Sequence, residues 1–201
     1  RPHGGGGLRP LLLEGAPREA ELARARGLRR IRISSREVGD LVMLGIGGFT
    51  PLDGFMGEAD WRRVCDAMQL ASGLFWPIPI TLSASNSADN PLRAGEDIAL
   101  MDDANEILAT MTVREIYRID KALEARAVFR AVDPNHPGVA MVMSQGDVNI
   151  GGPVKVLSLA GFPSRYGKLF LTPAETRARF LSLGWRRIAA FQTRNPMHRS
   201  H

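Results

Sequence analysis

Cysteine is nearly missing from this chain. Its single thiol, Cys65, excludes an internal disulfide and any cysteine-cluster metal site. It stands in DWRRVCDAMQL at helical spacing with Trp61, Val64 and Met68, which reads as core. Aromatics make up only 6% of residues and stand in apolar contexts. That argues against a module that stacks RNA bases on exposed rings. No apolar run approaches the ~20 residues that a membrane helix needs, so no membrane partner is expected. The start, RPHGGGGLRP, has no apolar core of the signal-peptide type, and a cytoplasmic protein is expected. Lysine is scarce as well, three against 23 arginines. The net charge is +5 and the sequence pI about 10.1. Yet the arginines are scattered, from Arg24, Arg26, Arg29, Arg30 and Arg32 to Arg186 and Arg187, with no long basic run interleaved with aromatics. This pattern reads first as general arginine-rich composition, with a modest field that attracts small anions as the functional alternative, and no nucleic-acid partner is expected.

What is present is ordinary for a folded protein: 201 residues, 44% hydrophobic and 23% charged. That is enough for one large domain or one domain plus part of another. PREAELARARG predicts a short helix, and Ile31 and Ile33 alternate with arginine as in a strand. SSREVGDLVMLG offers a capping box, Ser34 with Glu37, into an apolar helix. GIGGFTPLDGFM is turn chemistry, and a helix is predicted at about 58–71. In LFWPIPITL, Pro77 and Pro79 argue against a central strand. EDIALMD and EILATMTVREIYRI flank DANE as a hairpin, KALEARAVFRAV reads as a helix and DPNHPG as a turn. GDVNIGGPVKVLSL reads as two strands about a glycine turn. Short strands with few helices over residues 74–157 suggest a small, mostly-β domain of barrel type, within an amino-terminal domain expected over residues 1–160.

A second domain is expected to begin at 161. TPAETRARFLSLG carries Thr172 as cap, Pro173 in the first turn, Glu175 to close a capping box and Gly184 as terminator. WRRIAAF reads as a short buried strand. Helix, strand, polar turn and new helix are the opening of an α/β domain, and such sheets bind ligands beyond the carboxyl ends of their strands. There the chain places FQTRNPMHRSH, its densest cluster of ligand-type side chains. A helix that Pro196 can start would present free N–H groups and partial positive charge to a phosphate or sulfate. Arg194 adds a planar fork for a tetrahedral oxyanion. Gln192, Thr193 and Asn195 add neutral donors, and His198 and His201 would share one helix face. The alternatives are a polar turn with two surface histidines, or a two-histidine metal site that lacks a visible third ligand.

FQTRNPMHRSH closely resembles the active-site signature of the ATP sulfurylase (sulfate adenylyltransferase) family: Gln-x-Arg-Asn-Pro continuing into His-x-x-His. ISSREVGDLVMLGIGGFTPLDGFM resembles the family's amino-terminal signature, and GLFWPIPITL and GGPVKVLSL resemble its strands in the expected order. The resemblance spans about residues 10–201. It implies an α+β to α/β chain, with a PUA-like domain followed by the start of a Rossmann-like nucleotidyltransferase domain. It implies formation of adenosine 5′-phosphosulfate and pyrophosphate from ATP and sulfate, with Mg²⁺ carried by ATP and no tightly bound cofactor. It assigns sulfate to Gln192 and Arg194, and ATP to Gln192, Thr193, Arg194 and Asn195. Thr193, Arg194, Asn195, His198 and His201 become the catalytic set, with the histidines on the transition state and the departing pyrophosphate. A homo-oligomer is expected. The family has further active-site segments downstream, so the 201 residues are expected to be the amino-terminal portion of a longer enzyme, inactive alone. The rival readings are an RNA-binding PUA-like module and an adenylyltransferase for another acid.

Overall fold

The computed structural model describes residues 1–85, 89–191 and 193. Helix α1 (Gly15–Ala25) leads into strand β1 (Arg29–Arg32). Helix α2 (Ser35–Gly45) begins on the expected capping box. The Ser34 side chain accepts from the Glu37 backbone, and the Glu37 carboxylate accepts from Ser34. Strand β2 (Gly54–Phe55), helix α3 (Glu58–Ala67) and strand β3 (Leu82–Ala84) follow. Strands β4 (Asp97–Met101) and β5 (Ile107–Thr112) form the expected hairpin, and β6 (Glu115–Arg118) follows directly. Helices α4 (Lys121–Phe129) and α5 (Pro137–Met143) precede strand β7 (Val148–Val156). The described chain ends with α6 (Phe162–Tyr166), a 3-10 turn (Gly167–Leu169) and α7 (Pro173–Ser182).

One mixed sheet organises the first part. Its order is β1-β4-β5-β7-β2, with β3 and β6 also paired to β7. Among the described strand pairs only β1 and β4 run parallel, and an isolated parallel bridge joins Leu12 to Val156. Strand β7 is the hub. Val148–Ile150 pair with both β3 and β6, whereas Gly152–Val156 pair with β2 and β5. A single strand thus carries two sets of neighbours, as in a barrel-like α+β fold. Alternation along β4 splits the packing: Ile98 and Leu100 join the main core with Leu41, Leu44, Met111 and Ile150, while Ala99 packs with Ala25 and Leu157 behind α1.

Four expectations change. Residues 148–156 are one strand, not two about a turn, because Gly151 and Gly152 serve close crossing and not reversal. A Cβ on Gly152 would lie 2.1 Å from the Thr112 carbonyl oxygen, and one on Gly54 2.0 Å from that of Gly152. The DPNHPG turn runs into α5, which His136 caps through the Gly138 and Val139 N–H groups. Around Cys65, Trp61 and Val64 are buried, but the thiol is half-buried and Met68 is exposed as the left-handed C-cap of α3. Finally, 185–191 form no strand. Backbone groups enter a strand only against a partner strand, and among the described residues none lies beside them.

Candidate functional site

The segment that leads to the terminal motif is built as its residues dictate up to Gly184. Thr172 accepts from the Glu175 N–H and Glu175 reaches back to Thr172, closing the box on α7 with Pro173 in the first turn. These hydrogen bonds from Thr172 hold the Glu175 carboxyl below its usual range. Gly184 takes φ +67°, the left-handed geometry that ends helices. Trp185 then folds back, its N–H donating to the Phe180 carbonyl at 3.0 Å and its ring stacked on Phe180.

On both sides of this point apolar side chains stand in the open. Leu181 is 80% exposed, Phe191 67% and Ile188 50%. Among the described residues nothing after Leu157 is buried. Arg186 and Arg187 line a shallow concavity with Trp185 and Ile188. Of the motif residues, Thr193 is described and is exposed, outside any helix or strand. Gln192, Arg194, Asn195, His198 and His201 lie outside the described residues.

The first part of the chain offers further concave sites. A cleft of about 650 Å³ is walled by Phe49, Phe75, Trp76 and Ile78, with His3 and Asp40 at its edge. A second, of about 200 Å³, lies between α2, residues 78–80, α4 and α5. Asp40 borders both. Desolvation pushes its carboxyl up to about 6, against the pull of Arg36 at 2.6 Å and with added repulsion from Glu37. Burial likewise pushes the Cys65 thiol up to about 12, with Glu124 adding to it, so this cysteine is no nucleophile near neutral pH. Among the described residues no group of three or more His, Cys, Asp or Glu side chains is placed to hold a metal ion. No helix among them is long and apolar enough to cross a membrane.

Sequence reasoning missed the groups beneath α4 and α5. Glu124, Asp40 and Gln145 stand on three elements far apart in the chain, so no local pattern joins them.

Comparison with known proteins divides the chain in the same order as its elements. Residues 1–159 match the family model described as a PUA-like domain, and residues 167–201 match that described as ATP-sulfurylase. The chain is 58% identical over 202 residues to a sulfate adenylyltransferase of Thiobacillus denitrificans, covering 100% of this chain and 50% of that protein. It is 56% identical over 201 residues to one from Vesicomyosocius okutanii, covering 100% and 49%. For Chlorobaculum tepidum the identity is 55% over 195 residues, covering 96% and 48%. The chain therefore spans about half the length of these curated relatives. Among solved structures it is similar to a hexameric APS kinase from Thiobacillus denitrificans. The TM-score is 0.75 at 34% identity, over 97% of this chain and 34% of that one.

Proposed function

Because the chain belongs to the PUA-like domain family over most of its length and continues into ATP-sulfurylase sequence, we propose that it is the amino-terminal part of a sulfate adenylyltransferase. The reaction joins ATP and sulfate to give adenosine 5′-phosphosulfate and pyrophosphate. A sulfate oxygen attacks the α-phosphorus in line, and the bond from that phosphorus to the pyrophosphate oxygen breaks. One observation carries this reading. The ATP-sulfurylase match over 167–201 contains the whole QTRNPMHRSH motif, on a chain 58% identical from end to end to a sulfate adenylyltransferase.

The division of labour follows from the chemistry of the residues. Residues 1–160 form the PUA-like domain, and 161–201 begin the nucleotidyltransferase domain. Sulfate is already an anion, so no general base is required. The difficulty lies in bringing two anions together. Holding them in line can supply roughly 7–11 kcal/mol of the barrier at best, and fixed donors aimed at the developing charge supply more. Gln192 and Arg194 bind sulfate, and Gln192, Thr193, Arg194 and Asn195 contact ATP. His198 and His201 stabilise the transition state and the departing pyrophosphate. Mg²⁺ enters as part of the substrate, on the phosphates of ATP, and keeps most of its ligands there. Oligomerisation is part of the proposal. It draws on the structural relative, a hexameric APS kinase.

Molybdate in place of sulfate tests the site. Its mixed anhydride with AMP hydrolyses at once, so ATP is consumed continuously to AMP and pyrophosphate. The enzyme assembled from this chain and the carboxyl-terminal half of a relative should show molybdate-dependent AMP release that sulfate inhibits competitively. Absence of that release sinks the proposal.

A further inference from the structure

The smaller cleft holds an imbalance of acceptors over donors. Glu124, on α4, is 5% exposed, and its Oε2 accepts from the Trp61 indole N–H at 2.7 Å. Among the described residues no cation pairs with it. Arg36 lines the same cleft, but its guanidinium is divided between Asp40 at 2.6 Å, Glu37 at 3.4 Å and the Thr81 carbonyl at 2.9 Å. Gln145, just past α5, also lines the cleft, and its Oε1 is buried with no donor. Its backbone is fixed, since Lys121 Nζ donates to the Gln145 carbonyl at 2.6 Å. Its terminal amide turns about a soft bond, so the orphaned oxygen can swing into the space it borders. Apart from Asp40, which is paired with Arg36, the remaining wall is apolar, with Ile78, Val128, Phe129 and Met141.

A buried carboxylate without a counter-ion and a buried amide oxygen without a donor are both costly. Burial holds the Glu124 carboxyl above its usual range, against the opposing pull of the Trp61 N–H and of the more distant Arg36 charge. The group that answers all of this has several N–H donors, one positive charge and an aliphatic body. A planar guanidinium would duplicate Arg36, whereas an ammonium is compact and carries three donors. We propose that the cleft between α2, α4 and α5 binds a small free alkylamine, its ammonium on Glu124 and Gln145 and its stem along Phe129 and Met141. At about 200 Å³ the space suits one small molecule and not a protein surface. This site is independent of the terminal motif and of its chemistry.

The test is an NMR titration of the 201-residue chain with n-pentylammonium. The Trp61 indole N–H is the reporter, because it donates to the carboxylate that would receive the cation. We expect saturable shifts of that proton and of the Val128 and Met141 methyls. n-Pentanol, the neutral isostere, should give none in the same range. Glu124→Gln keeps the acceptor for Trp61 and should weaken binding at least tenfold. Gln145→Met, at the end of a surface helix, should weaken it severalfold without touching that contact. Overturning results are no saturable shift, an equal response to pentanol, or unchanged affinity in both variants. Tighter binding of Nα-acetyl-lysine amide than of n-pentylammonium would also overturn it, in favour of a lysine side chain from a protein partner.

Discussion

At Arg194 the difference between a guanidinium and an ammonium separates two roles. A sulfate clamp needs the planar fork, whereas a general positive charge does not. We predict that Arg194→Ala, in an enzyme completed with the carboxyl-terminal half of a relative, lowers kcat/KM by roughly 10²–10³, about 3–4 kcal/mol. Thermal unfolding should be unchanged. Arg194→Lys should restore little of the loss, and near-wild-type turnover in the lysine variant removes the clamp role. A second residue-scale test uses two carboxyls shifted in opposite directions. Glu21, on α1, is held down to about 2, first by its hydrogen bonds with Arg24 and then by Thr110 and Lys155. Its folded value lies below its unfolded value of 4.5, so its contribution is complete above pH 4.5 and is lost as pH falls toward 2. With solvent screening at the part-exposed Arg24, that is on the order of 1–2 kcal/mol. Asp40 moves the other way, from 3.8 to about 6, so its penalty appears as pH rises through that window. In urea melts across pH 2–7, Glu21→Gln should flatten the acid limb. Asp40→Asn should gain on the wild type between about pH 4 and 6 and hold the gain above. Parallel curves for wild type and both variants would show that neither carboxyl is linked to folding.

Elements differ in whether their determinants are local. Both capping boxes and the Gly184 stop follow from residues within a few positions of one another, the β4–β5 hairpin from two adjacent strand runs about a short turn, and all four were legible in the sequence. Thr172→Ala should therefore cost α7 about 1 kcal/mol, seen as faster amide exchange over Pro173–Ser182 with no change in the sheet. An unchanged exchange rate would remove the cap from the account of α7. Strand β7 was not legible, because a Gly-Gly pair states that the backbone is bare and not why. The reason is long-range: Thr112, Gly57 and Gly54 all approach it. Gly152→Ala should accordingly cost at least the roughly 1–3 kcal/mol typical of overpacking, since the atom it meets is backbone and cannot rotate away. A loss below 0.5 kcal/mol would mean that β7 can slide. The candidate site divides the same way. Its residue types were readable as one contiguous motif, but the meeting of Asp40, Glu124 and Gln145 around one cleft was not, since the fold alone brings them together.

At the scale of the whole molecule, the core and the proposed chemistry occupy different parts of the chain. Every buried residue among those described lies at or before Leu157, while the proposed substrate-binding and catalytic residues begin at Gln192. Between them Trp185, Ile188 and Phe191 present apolar side chains to solvent, in a stretch whose sequence favours a buried strand. An apolar strand sequence without a partner strand has neither ladder hydrogen bonds nor a surface to pack on. Catalysis by positioning needs the reacting groups held to within about 0.5 Å by supporting contacts. From this we predict that the 201-residue chain folds cooperatively through Leu157 and yet releases no pyrophosphate from ATP and sulfate. Amide exchange should show strong protection in β4, β5 and β7 and almost none at Ile188–Phe191. Adding the carboxyl-terminal half of a relative, as a fusion, should restore activity and protect Ile188–Phe191 together, because the same neighbouring strands would supply both. Turnover by the 201-residue chain alone, or protection at Ile188–Phe191 without the added half, would place the working unit within this chain and overturn the division proposed for it.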